Sequence, residues 1–134
     1  MSGMDESAVE AFLHSEVFGV AGASSDPNKF GFRCFRALLQ SGRTVYPVNP
    51  RGGEILGVAA ISSVSEAPRA INALSVVTPP AVTEHVVRDA IAAGVTILWM
   101  QPGAESSVAI AEALASGVTV IADGPCLLVE LARH

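Results

Sequence analysis

Residues 17–51, VFGVAGASSDPNKFGFRCFRALLQSGRTVYPVNPR, constrain the fold more than any other stretch of the chain. Val17–Ala21 is a short apolar run of the kind a strand buried on both faces requires, and it enters Gly22-Ala23-Ser24-Ser25 without meeting a charge. Asp26, Pro27 and Asn28 are residues that open helices, Phe35, Leu38 and Leu39 give the helix a packed face, and Gly42 ends it. Thr44–Val48 then reads as a second strand, with Pro47 favouring a sheet edge. The first turn of a helix leaves backbone N–H groups unpaired and carries partial positive charge. A small-residue loop placed directly before it is therefore suited to a phosphate group.

The same alternation continues to the C-terminus. Leu74–Val77 reads as a third strand, Thr78 as the cap of a helix opened by Pro79-Pro80, and Val82, Val86, Val87, Ala90 and Ile91 as its inward stripe. Val95–Met100 is a fourth strand, followed by a loop at Gln101-Pro102-Gly103. A helix over residues 105–116 then turns Val108, Ile110, Ala111 and Leu114 inward, and Val118–Ala122 and a helix over residues 127–132 complete the pattern. Residues 52–71 are the least patterned, with a brief pairing at Glu54–Gly57 and one helical turn at 63–67. An amphipathic helix at residues 4–15, within a leading segment 1–16, places Val9, Phe12 and Leu13 against the sheet edge.

This pattern predicts one domain over residues 1–134, an α/β fold of three layers with a doubly wound parallel sheet of five strands in order 3-2-1-4-5, Rossmann-like in plan. The winding then reverses beside the first strand. The crevice there is lined by loops at 22–29, 49–51, 78–80 and 100–103.

Composition removes several classes. At 134 residues and 50% hydrophobic the chain holds one core, and its apolar runs are far shorter than the roughly 20 residues of a membrane span. An acidic N-terminus lacks the pattern of a secretory signal, so a cytoplasmic location is expected. Thirteen Asp and Glu against eight Lys and Arg leave a net charge of −5 with no basic cluster, which disfavours nucleic acid. Two cysteines, Cys34 and Cys126, provide neither a disulfide framework nor a zinc motif, and no metal is expected.

Dinucleotide-binding folds place an acid at the tip of the second strand to hold ribose hydroxyls. Here the tip is Asn49-Pro50-Arg51. A guanidinium in place of the acid points away from NAD and toward a phosphorylated ribose, a description met by both coenzyme A and NADP.

Gly22–Gly31, Val45–Pro50, Val77–Pro80, Leu98–Gly103 and Val120–Asp123 with Cys126 together resemble the stand-alone CoA-binding domain proteins, small Rossmann-like proteins related to the nucleotide-binding domain of the succinyl-CoA synthetase alpha subunit. The resemblance runs from about Phe12 to the C-terminus. It implies that coenzyme A or an acyl-CoA is held by Gly22, Ala23, Ser24, Ser25, Lys29, Asn49, Pro50, Arg51, Thr78, Pro79, Met100 and Gln101. Members of the family often carry Asp-Arg-Cys where this chain has Asp123-Gly124-Pro125-Cys126, so a role for Cys126 that depends on that arginine is not carried over. Cys126 reads either as a small buried residue or as a partner for a mixed disulfide with the CoA thiol.

No catalytic residue is assigned. The chain contains no GxSxG or HExxH motif and no close carboxylate pair, and the phosphoryl-transfer histidine of the synthetase subunit lies in a second domain without a counterpart in these residues. The expected function is coenzyme A binding without turnover. An NADP-dependent oxidoreductase or redox-regulatory module, and a non-catalytic subunit of an acyl-CoA ligase, are the alternatives. A homodimer or a ligase subunit is the expected macromolecular partner.

Overall fold

The computed structural model describes residues 6–133. In chain order the elements are α1 (Glu6–Leu13), β1 (Val17–Ala21), α2 (Phe30–Gln40), β2 (Thr44–Val48), β3 (Glu54–Ile55), β4 (Val58–Ala59), β5 (Ala73–Val76), α3 (Pro80–Ala92), β6 (Ile97–Met100), α4 (Ser107–Ala115), β7 (Thr119–Ile121) and α5 (Leu127–Arg133). A 3₁₀ turn at Val64–Glu66 lies between β4 and β5, and β3 and β4 form a two-stranded antiparallel hairpin. Met4 and Asp5, expected in the first helix, lie outside the described residues.

The main sheet is parallel, in order β2-β1-β5-β6-β7. Side chains alternate between its two faces, as the period of a strand requires. Phe18 and Val20 of β1 and Ile97 and Trp99 of β6 enter the core beneath α1, α2 and α5, whereas Val17, Ala21, Leu98 and Met100 enter the core beneath α3 and α4. The result is the expected three-layer, doubly wound, Rossmann-like α/β fold.

One assignment within that plan is corrected. The expected order 3-2-1-4-5 put the strand at Leu74–Val77 outside β2, but β5 pairs with β1 in the middle of the sheet. The place outside β2 is taken by a single parallel bridge between Val48 and Ile61, with Ile61 N–H donating to Pro47 O and Asn49 N–H to Ile61 O. Counting that bridge as the third strand keeps the 3-2-1-4-5 winding. The reversal therefore falls between β1 and β5. Pro47 fits this position because the outer side of β2 is nearly unpaired.

Two helices turn differently from expectation. Ala109 and Ala113 are the buried residues of α4, while Val108 and Leu114 are exposed. In α3 the inward positions are Thr83, Val87 and Ala90. Thr83 is tolerated there because its hydroxyl lies 2.8 Å from that of Thr78, within a hydrogen bond.

Trp99 is core, as its strand position suggests. Its ring meets Phe12 edge-on at 5.1 Å, and its indole N–H donates to Pro125 O. Gln101, also fully buried, donates from Nε2 to Ser75 Oγ and accepts at Oε1 from Leu127 N–H, which fastens the start of α5 to the sheet. Gln101→Leu keeps the volume and removes both bonds. An unpaired buried polar group costs about 1–3 kcal/mol, so the urea midpoint should fall by that amount of stability with an unchanged m-value.

Candidate ligand-binding site

A cavity of about 880 Å³ opens at the C-terminal ends of β1, β2 and β5, the reversal point of the sheet. Its floor is the loop after β1. Gly22 has φ +87°, and a Cβ there would lie 2.8 Å from Val77 O. At Gly31, in the first turn of α2, a Cβ would lie 2.1 Å from Gly22 O. Only glycine permits this approach, which presses the start of α2 directly against the loop.

Asn49 fixes the same loop from the side. Its Nδ2 donates to Ala23 O at 2.9 Å and its Oδ1 accepts Arg51 N–H at 2.9 Å. An aspartate would lack the donor, which explains physically why an amide occupies the β2 tip where related nucleotide folds place an acid. Ser24 Oγ accepts Asp26 N–H and Asp26 Oδ1 accepts Asn28 N–H, so residues 24–28 close on themselves as turns. The expected helix opening at residues 26–28 is accordingly displaced. The helix begins at Phe30, with Lys29 as an extended N-cap whose side chain makes no capping bond. The first-turn amides of α2 thus border the cavity without a side-chain cap, with their partial positive charge directed at it.

The opposite wall is chemically different. Pro79 caps α3 and Pro80 is its first residue, and neither has an amide proton; the N–H groups of Val82 and Thr83 both donate back to Pro79 O. Val77, Val82 and Val86 complete an apolar surface there. Val82 and Val86, expected in the core, line the cavity instead, because the apolar face of α3 is wide enough to serve both. Ser62, Ser63 and Val64 close the outer side, held by a 2.8 Å bond from Val64 N–H to Asp89 Oδ2.

Of the residues proposed from sequence, Gly22, Ala23 and Ser24 line the cavity with Lys29, and so do Asn49, Pro50, Arg51, Thr78 and Pro79. Ser25 is exposed and not among the lining residues. Met100 and Gln101 are corrected: both are fully buried, the polar atoms of Gln101 are committed to Ser75 and Leu127, and neither reaches the cavity. Their loop follows β6, which lies one strand beyond the reversal point. Ser62, Ser63, His85 and Asp89 also line the cavity without having been proposed as site residues: the serines sit in the least patterned segment, and His85, among the charged residues Glu84, Arg88 and Asp89, reads as an exposed helix position, which it is.

Lys29 and Arg51 are cations in the lining, and neither enters an ion pair with the described residues, whereas Arg69, Arg88 and Arg133 are all paired with glutamates. Two donors with free charge, a helix start and a glycine loop on one wall suit phosphate oxygens; a proline-opened, valine-lined wall opposite suits a flat apolar group. Among the described residues no cluster of His, Cys, Asp or Glu is arranged to hold a metal, and no helix is long and apolar enough to cross a membrane. Cys126 stands outside the cavity lining, so a disulfide with a ligand held there has no geometry in its favour.

The architecture defines the class first: a Rossmann-like α/β module with its crevice at the sheet's reversal point. The chain belongs to the family described as CoA binding domain, whose profile matches residues 16–132. Over 72 residues it is 39% identical to the acetate–CoA ligase [ADP-forming] II subunit alpha of Pyrococcus furiosus, a match covering 53% of this chain and 16% of that subunit. A hypothetical protein from Pyrococcus horikoshii OT3 superimposes with a TM-score of 0.90 at 29% identity, over 97% of this chain and 91% of that one. The dinucleotide-forming acetyl-coenzyme A synthetase 1 of Ca. Korarchaeum cryptofilum, solved with phosphate and ADP, gives a TM-score of 0.75 at 28% identity, over 87% of this chain and 27% of the synthetase chain. This chain therefore spans about a sixth to a quarter of the length of its ligase relatives and nearly all of the smaller one.

Two outcomes follow from the packing. Gly31→Ala forces the loop and α2 apart and should lower Tm by roughly 5–10 °C, while Gly124→Ala, where a Cβ meets nothing within 4 Å, should shift it by less than about 2 °C. Burial is the main reason the Cys34 thiol is pushed up to about 12, with the neighbouring Cys126 adding to the rise and a hydrogen bond with Ser75 opposing it. At pH 8 Cys34 stays a neutral, enclosed thiol. Iodoacetamide should add one label to the native protein, at half-exposed Cys126, and two after denaturation, as read by intact mass.

Proposed function

We propose that the protein binds coenzyme A or an acyl-CoA in the β1–β5 crevice and acts as a binding module without turnover of its own. The observation that carries this reading is the division of the cavity: uncapped α2 amides, Lys29 and Arg51 on one wall, Pro79, Val82 and Val86 on the other. The phosphates of the ADP moiety lie against the first wall and the base against the second. Arg51 at the β2 tip supplies the fork for a phosphate on the ribose. Membership of the CoA binding domain family supports the choice of coenzyme A over NADP. The match to a ligase alpha subunit supports a setting in which the module works beside a ligase subunit; a homodimer and a cytoplasmic location complete the proposal.

Thermal unfolding with coenzyme A, acetyl-CoA, NADP, NAD and ATP tests the proposal. A ligand at 100 times its Kd that binds only the folded state contributes about 2.7 kcal/mol, which raises Tm by roughly 10 °C for a chain of this size. Coenzyme A or its acetyl ester should produce that rise and NAD should not; indifference to both coenzyme A forms overturns the reading. A charge-assisted hydrogen bond is worth about 1.5–3 kcal/mol, so Arg51→Ala should weaken coenzyme A by one to two orders of magnitude in calorimetry. Unchanged affinity removes Arg51 from the site.

A further inference from the structure

The cavity-facing residues of α3 are Val82, His85, Val86 and Asp89, spaced i, i+3, i+4 and i+7, so they form one stripe down the helix. Three of the four have an evident role. The valines make the apolar wall, and Asp89 holds the 3₁₀ turn through Val64 N–H. His85 is exposed, borders the same cavity, and makes no hydrogen bond or ion pair with the described residues. We infer that His85 is a ligand-contacting residue that adds a proton-dependent positive charge to the site, so that the protein holds a phosphate-bearing ligand more tightly as pH falls. This inference rests on the coenzyme A reading.

The charges around His85 support this assignment. On its own helix, Glu84 accepts from Ser106 Oγ, Arg88 is paired with Glu112, and Asp89 is bonded to Val64. On the 62–66 segment, Glu66 accepts from Ser62. Across the cavity stand Lys29 and Arg51. With Asp89, these fixed charges give the lining a net charge of +1 while His85 is neutral and +2 once it is protonated. His85 is the one histidine of the lining, and histidine is the side-chain type that ordinarily changes charge between pH 5 and 8.

A diphosphate beside a histidine favours the imidazolium over the neutral ring, so a histidine in that setting has a higher pKa with the ligand bound than without it. By linkage the added affinity is present below the free-state pKa and is lost as pH rises through the bound-state value. A rise of one unit corresponds to about tenfold tighter binding at pH 5.5 than at pH 8.5. The group responsible must be separated from the ligand's own titration. Coenzyme A carries a phosphomonoester that protonates near pH 6 and loses charge as pH falls, an opposing effect, whereas dephospho-CoA carries only the diphosphate.

Calorimetry of the full chain with dephospho-CoA from pH 5.5 to 8.5, on the wild type and His85→Gln, decides the matter, with coenzyme A run in parallel. Binding about tenfold tighter at the acid end in the wild type, and flat in the folded glutamine variant, is the expected result. A flat wild-type profile overturns the role of His85 while leaving coenzyme A binding intact, and so does a slope that survives in His85→Gln. Absence of binding by either ligand at every pH overturns the coenzyme A reading and this inference together. His85→Lys, positive throughout the range, should bind with acid-end affinity at pH 8.5, which separates charge from the shape of the ring.

Discussion

The contact between Gly31 and Gly22 sets the geometry of everything at the open end of the sheet. With no room for a side-chain carbon at Gly31, the backbone of α2 lies directly on the backbone of the loop after β1. Helix α2 therefore starts at the cavity floor instead of a side-chain length above it. That distance matters because the field of a helix start falls off within about one turn. The two glycines are nine residues apart and belong to no complete GxGxxG motif, yet they perform two of its tasks: a left-handed turn at Gly22 and a close helix–loop approach at Gly31. Asn49 adds the constraint from the neighbouring strand, using its side chain as donor to the loop and acceptor from Arg51. The glycine loop and the cation at the β2 tip are thereby held in one geometry by a single residue.

The electrostatics of the site are local. A chain with net charge −5 repels polyanions at long range, but surface charge is screened over about 8 Å in physiological salt. What a small ligand meets is set by groups within a few ångströms. Arg69, Arg88 and Arg133, none of them in the cavity lining, are engaged with glutamates, and Arg43 is directed to Leu13 O, while Lys29 and Arg51 remain available at the cavity. An acidic protein with two available cations beside a helix start is compatible with an anionic ligand. The same balance would be unsuited to a nucleic-acid backbone, which needs an extended basic face.

Much of this was legible in the sequence where the determinants are local. β1 and β2 follow from an apolar run, a glycine and a proline-marked edge and appear at their expected bounds, while the loop between β1 and α2 appears where expected but runs on to Lys29. Properties set by the rest of the chain were not legible. Hydrophobic periodicity places Val82 and Val86 on the inner face of α3 but does not distinguish a core from an apolar cavity wall. The α4 helix is apolar on nearly every side, so its pattern selects no face, and packing chose the two small alanines over Val108 and Leu114. The place of β5 beside β1 depends on what the intervening residues 52–71 do. They form a hairpin, a bridge at Ile61 and a 3₁₀ turn that fill the outer side of β2, which local propensity does not reveal.

The burial of Gln101 bears on what the module can do. A glutamine at the end of a parallel strand, followed by Pro-Gly, looks like a ligand loop, but its amide fastens α5 to the sheet from beneath. With Trp99 Nε1 bonded to Pro125 O, residues 125–127 are held across the ends of β6 and β7 by two buried hydrogen bonds. The C-terminal edge of the sheet is therefore divided. Its β6–β7 half is fastened by its own side chains, and its β2–β1–β5 half stays open as the cavity. A reaction centre at the closed half would require breaking buried bonds that stabilise the fold, each about 1 kcal/mol net and more if left unpaired. Chemistry performed on a ligand of this module is thus confined to groups reaching the open half. Among the chain's own side chains there, His85 is the only imidazole.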